Sequence, residues 1–259
     1  MFSLYISLRS EFYKSRKTLA FWASILLPLI ICGLVAFGTI STQERILKMH
    51  LNAETLWMYF CSGALNPMGL LILPFYVIFM AFSVNNIEHR NDTWKSLFSQ
   101  PLNRFSIYAA KYLYALILVF ICLSLFLLLT WGFGNLIPFV APKLRFQDYS
   151  PIELLSKIYF KLFLSAFGIL SLQFIFSLLW ADFLKPMGIG FIGIIAGLIT
   201  ASKGWEYAYL IPYSHPSLVL SSKGKEGFQL FTTEIYASLA YALVLFIAGY
   251  FILSKKSIK

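Results

Sequence analysis

From Glu88 to Lys111 the chain reads EHRNDTWKSLFSQPLNRFSIYAAK, its densest concentration of charge in a sequence where only 12% of residues are charged. Glu88, His89, Arg90, Asp92 and Lys95 surround the indole of Trp94. Side chains of both signs beside a large aromatic suit gripping, through ion pairs, charge-assisted hydrogen bonds and one apolar anchor. An ordinary solvated loop that anchors its flanks by positive charge uses the same composition.

Other chemistries find no support. Cys32, Cys61 and Cys122 stand at unrelated spacings, with no disulfide framework and no metal-ligand pattern. GIGFIG, with Gly188, Gly190 and Gly193, matches G-x-G-x-x-G, but a dinucleotide site needs a preceding strand, and here an apolar run follows instead. Gly193 and Gly197 also form G-x-x-x-G, which suits close helix packing. No stretch reads as G-x-x-x-x-G-K-[ST], so the chain has no P-loop for ATP. Catalytic and metal residues are therefore expected to be none, and the chain is expected not to be an enzyme.

The elements that must position the 88–111 segment are apolar. With 59% hydrophobic residues and a mean hydropathy of +0.75, the chain reads as an all-α polytopic membrane protein, a single transmembrane domain over 1–259. A hydrocarbon core of about 30 Å needs roughly 20 apolar residues per helix. Six spans answer to that, at about 19–40, 66–87, 112–131, 161–180, 187–201 and 235–253. The fifth is short and must borrow flanking residues, let Lys185 snorkel, or re-enter. No Asp, Glu, Lys, Arg or His lies well within any of these stretches, and Lys161 at one end can reach the interface. Ion-coupled carriers and intramembrane hydrolases keep such groups despite their cost, so any work done here draws its energy from a partner.

Six spans put both termini on one side. That side collects twelve of the 21 Lys and Arg, in the N-terminus, 88–111, Lys185 and the C-terminus. The other side holds nine, among the acids Glu44, Glu54, Asp148, Glu153, Glu206, Glu226 and Glu234. The positive-inside rule then makes both termini and 88–111 cytoplasmic. The net charge of +10 follows from that bias and from attraction to anionic membrane lipid, with no nucleic acid required. Pro28 and Pro74 fall inside the first and second spans, where they permit kinks. Trp131, Trp205, Tyr207 and Tyr209 suit an outer aromatic belt, Trp22 and Trp180 an inner one. Tyr213, Ser214, His215 and Pro216 suit an outer cap or an incidental turn.

Two shorter helices complete the expectation. Over residues 1–18 a helix would gather Ser3, Ser7, Ser10, Lys14 and Lys17 on a polar stripe opposite Leu4, Tyr5, Leu8 and Phe12, an interfacial elbow lying along the inner leaflet. Arg9 and Arg16 then snorkel from the apolar flank. A second helix from about 87 to 100 would put Ile87, Trp94, Leu97 and Phe98 on one face, before Pro101 breaks it.

Glu88, Trp94, Lys95, Pro101, Arg104 and Lys111, placed between the second and third spans, make the chain resemble the permeases of type-2 ABC (ABC-2) exporters, over essentially its whole length. Within them it is most similar to the small permeases of bacteriocin and lantibiotic immunity transporters. The resemblance implies a coupling segment at 88–111, in which Glu88, His89, Arg90, Asp92, Trp94 and Lys95 dock on a separate ATP-binding cassette ATPase. A second contact would come from Asp182, Phe183, Leu184 and Lys185. It implies no cofactor in this chain, with ATP and Mg on the partner ATPase, and a second permease copy in a homodimer or related heterodimer. It further implies a bacterial inner (plasma) membrane location and ATP-driven export of a hydrophobic or amphipathic peptide, lipid or drug. A membrane anchor or signalling subunit that transmits ATPase motion without transporting fits the same residues.

Overall fold

The computed structural model describes residues 2–91, 93–99, 101–221 and 228–255. These are helical, with no strand among them, and six helical segments are long and apolar enough to cross a membrane. The segments are Leu19–Ser41, Ala53–Arg90, Arg104–Val140, Ile152–Leu179, Leu184–Ser202 and Thr233–Lys255. The chain is thus a multi-pass membrane protein, and its spans extend beyond the apolar cores read from the sequence.

Ahead of the first span, Phe2–Ser15 forms α1. Span one, α2 (Leu19–Ser41), starts where the Thr18 hydroxyl accepts the Phe21 N–H. Its buried stripe is Ala20, Ser24, Pro28, Cys32 and Ala36, small residues four apart that let α7 approach closely. After a short helix α3 (Gln43–Leu47), span two is built from α4 (Ala53–Pro67), capped by Asn52, a π-helical turn over Met68–Ile72, and α5 (Leu73–Arg90). Pro74, read as permitting a kink, follows directly on that π turn. Proline has no N–H to give its i−4 carbonyl, and the wider turn lets Leu73 N–H reach back to the Met68 carbonyl instead.

Helix α6 covers Trp94–Ser99, and α7 spans Arg104–Val140 from its cap at Asn103. At 37 residues α7 rises about 55 Å, more than the hydrocarbon needs. Helix α8 (Ile152–Leu179) is the centre of the bundle and packs on α5, α7 and α11 (Thr233–Lys255). Helix α9 (Leu184–Ser202) supplies the fifth span; its 19 residues rise about 28 Å, so residues beyond 187–201 are borrowed at both ends.

The connection after α9 departs from an outer cap. Tyr213, Ser214 and His215 are buried, and α10 (His215–Ser221) tucks between α8, α9 and α11. The glycines of G-x-x-x-G serve this tuck. A Cβ on Gly193 would lie 2.4 Å from the Tyr213 ring, and one on Gly197 would lie 2.7 Å from the Ser214 nitrogen. Close approach of a turn, not of a second membrane helix, therefore requires glycine there.

Candidate functional site

The residues singled out for docking lie at one end of the bundle. Arg104 of α7 donates to the Ser254 carbonyl of α11 at 3.2 Å, and Lys14 of α1 reaches Glu88 of α5 at 3.0 Å, so the described parts of both terminal helices meet there. The 87–100 stretch is not one helix. Helix α5 runs on to Arg90, Asn91 folds its side chain back onto the Ile87 carbonyl, and the chain turns before α6 begins at Trp94. The short second helix arises because Thr93 N–H takes the Glu88 carbonyl and Leu97 N–H the Thr93 carbonyl. Leu97 is buried and Trp94 half-buried, as an inward face requires. Asp92 lies outside the described residues, as do the side chains of Lys95 and Phe98.

Glu88 does not face outward. Its residue is 1% exposed, and its carboxylate is held by Lys111 of α7 at 2.5 Å and by Lys14 at 3.0 Å. The same two ammonium groups reach Glu11 of α1, at 3.0 and 3.4 Å. Lys111 also donates to the Val84 carbonyl at 3.3 Å. Four charges thus alternate in sign around a closed square, buried at Glu11, Glu88 and Lys111 and open to solvent at Lys14, whose side chain is 31% accessible. Burying any one charge alone would be prohibitive; as two acids and two bases, each contacting both opposites, they neutralise one another. Burial disfavours the Lys14 ammonium, but Glu11 and Glu88 together outweigh it and hold its pKa above the ordinary lysine value.

The inner face of α1 combines this square with part of the expected apolar side: Leu8 and Phe12 pack against the core, Phe12 edge-on to Tyr114 at 4.8 Å, and Lys14 and Lys17 stay exposed. Ser7, Glu11 and Ser15, four apart, point into the protein, whereas Tyr5 and Tyr13 are more than half exposed. Ser7 and Tyr5 depart from the stripes read in the sequence; the inner face is set by the buried ion pairs together with Leu8 and Phe12. Arg9 and Arg16 lie over the Tyr13 ring, 5.8 and 5.2 Å from its centroid. Glu11 and Lys14 were missed as partners of the 88–111 segment. The available signal was Glu11 itself, the single acid among Arg9, Lys14, Arg16 and Lys17, spaced i, i+3 from Lys14.

Trp94 is wired to this square and to α8. Its indole N–H donates to His89 Nδ1 at 3.3 Å, and His89 Nε2 lies 3.1 Å from the Ser177 carbonyl. An indole only donates and a carbonyl only accepts, so His89 must be the neutral tautomer with its proton on Nε2. The Lys111 ammonium sits 5.8 Å from the centre of the Trp94 ring. One turn earlier on α5, Asn85 donates to the Ser177 hydroxyl at 2.7 Å. His89 is therefore a connector between α5, α6 and the end of α8 rather than a surface group.

The second predicted patch does present itself. Between α8 and α9 the Asp182 carboxylate accepts the Leu184 N–H at 3.0 Å, starting α9, while Phe183 packs edge-on against Phe82 of α5 at 4.9 Å. Asp182, Phe183, Leu184 and Lys185 are all exposed, Leu184 to 75%. Arg90, Thr93, Ser96 and Ser99 form the exposed part of the first patch. No group of three or more His, Cys, Asp or Glu residues able to hold a metal is present among the described residues.

With this geometry established, comparison with known proteins yields one match. A family model described as ABC-2 family transporter protein covers residues 7–197, from α1 through most of α9. No curated protein and no solved structure matches the chain.

Proposed function

The chain belongs to the ABC-2 family of transporter proteins and is a membrane permease component of an ABC transporter; from that premise we propose that α6 and the α8–α9 connection are where its ATP-binding cassette partner docks and drives it. Association with such a subunit is implied by the family. The basic end of the bundle is then cytoplasmic, α1 is the elbow at the inner leaflet, and the membrane is a bacterial plasma membrane. Arg90, Thr93 and Ser96 contact the ATPase from one side, Asp182 to Lys185 from the other. Asp92 and Lys95 belong to the first contact by position in the sequence. Glu88, His89 and Trp94 act from behind the surface.

The observation that carries this is the wiring of Trp94. A load on α6 reaches α5 and α8 through His89 and reaches α7 through Lys111; the square then passes it to α1. Because these contacts are linked, partly buried at Trp94 and His89 and buried at Lys111, the five helix ends would move together rather than slide past one another. ATP-driven closure of two ATPase subunits, carrying Mg and nucleotide, would shift two facing permease copies between inward-open and outward-open packings. ATP contributes only through its unequal affinity for the two. The aliphatic and aromatic character of the spans suits export of an amphipathic peptide, lipid or drug.

The test separates surface from wiring. Arg90→Glu with Leu184→Asp should abolish co-purification with the ATPase while the permease still inserts and keeps its thermal stability. Trp94→Phe removes the indole N–H and should leave co-purification intact but reduce ATP-driven substrate movement several-fold. Unchanged co-purification of the first variant would sink the docking assignment.

A further inference from the structure

A groove of about 580 Å³ runs along the outside of the bundle between α7 and α8, towards the end opposite the docking patches. Its size is that of a ligand site, roughly 300–1,000 Å³. Phe120 and Leu127 line it from α7, Phe160 and Phe163 from α8, and Phe228, in the segment before α11, lies across it. Phe120 and Phe160 are about half exposed, so the groove opens sideways, where a membrane-spanning bundle meets hydrocarbon. Among the described residues its one charged lining group is Lys157, in the second turn of α8, about half exposed.

Two neighbouring ion pairs separate a fixed cation from an available one. Lys161 is buried, paired with Glu234 at 3.4 Å, and lies 5.9 Å from the Phe228 ring centre; its charge is committed to holding that wall. Among the described residues Lys157 pairs only with Glu153, one turn away on the same helix, and Glu153 is 81% exposed. Such a surface pair holds its partners weakly and exchanges readily for a better anion. Lys157 thus stands at the helix end of an aromatic trough, where a long apolar stem keeps its ammonium at headgroup level.

We propose that this groove is a resident lipid site, holding one acyl chain of an anionic glycerophospholipid with its phosphate on Lys157. The occupant follows from the setting. A trough that opens into the bilayer is filled by what surrounds it, and a cation at its rim selects among headgroups by charge. The site depends on membrane insertion alone and stands apart from the docking patches.

The experiment uses the full chain in nanodiscs containing phosphatidylglycerol or phosphatidylcholine of identical acyl chains, each with a photoreactive diazirine near the chain end. Adducts are mapped by peptide mass spectrometry. With phosphatidylglycerol, adducts should concentrate several-fold on residues 120–127 and 156–163 over the exposed faces of α2 and α9. Lys157→Glu should remove that enrichment, Glu153→Gln should raise it, and Leu127→Trp should abolish it by filling the trough. Adducts on α2 serve in every sample as the control for a folded, inserted chain. Labelling in proportion to exposure would overturn the site. Equal enrichment with phosphatidylcholine, or enrichment that survives Lys157→Glu, would overturn the anionic headgroup.

Discussion

Two buried ionic sites, one near each end of the bundle, are built to different standards. At the basic end, Glu11, Lys14, Glu88 and Lys111 make four contacts of 2.5 to 3.4 Å and join three helices. Near the other end, Lys161 and Glu234 make a single contact of 3.4 Å, and Glu234 takes its second partner from Thr232 two residues away. Beside that pair His215 is fully buried, with Nε2 against the Tyr209 carbonyl at 2.8 Å and, among the described residues, no hydrogen-bond partner at Nδ1. The closed square has more contacts to fix relative position than the single pair does. On the proposed reading, in which load enters at the basic end, the more extensively bonded ionic site is the one that receives it.

The largest break in that contrast should come from Lys111→Met. It strands two carboxylates on Lys14 alone and should cost about 3–5 kcal/mol, seen as a fall in Tm of roughly 10 °C for a chain of this size in detergent. Adding Glu88→Gln should restore part of the loss, because Glu11 and Lys14 then balance; a double variant no better than the single one would contradict the square. Lys161→Met should cost less, roughly 1–3 kcal/mol, since Glu234 keeps its Thr232 hydroxyl.

Acidification should weaken the far end selectively. Burial holds the His215 pKa below the ordinary imidazole value, partly offset by the Tyr209 carbonyl and Glu234. The unfolded chain therefore takes up the extra proton more readily. The stabilisation is complete above about pH 6.5 and drains as pH falls through the window beneath it, by at most about 1.4 kcal/mol per pH unit. His215→Gln should flatten the Tm-versus-pH curve over that window, and a slope unchanged by the substitution would refute this. The smallest effect belongs to Glu153→Gln on the surface, where lipid-free Tm should not move.

How far the molecule was legible varies with the kind of constraint. The six spans were readable because the bilayer imposes length and apolarity on each segment separately. Asp182 to Lys185 were named only through the family resemblance, and the structure exposes all four. Glu88 was readable as important and misplaced, because a charge beside an apolar run looks the same whether it faces water or a partner 23 residues away. On α1 the periodicity placed Leu8 and Phe12 inward and Lys14 and Lys17 outward, and missed Ser7 and Glu11, because periodicity reports apolarity and these inner groups are polar.

By itself, the sequence determined an all-helical, six-span membrane chain with its charge gathered at segment ends, since each of those properties depends on local composition against a fixed hydrocarbon thickness. No stretch of it reads as G-x-x-x-x-G-K-[ST]. Only the tertiary structure decided that Glu88 closes a square with Glu11, Lys14 and Lys111, that Trp94 is tied to α8 through His89, and that Tyr213 to Ser221 tucks inside the bundle. Those choices are made by partners distant along the chain, and the strength of an ion pair in low dielectric depends on which group arrives within about 3 Å, something no local pattern encodes.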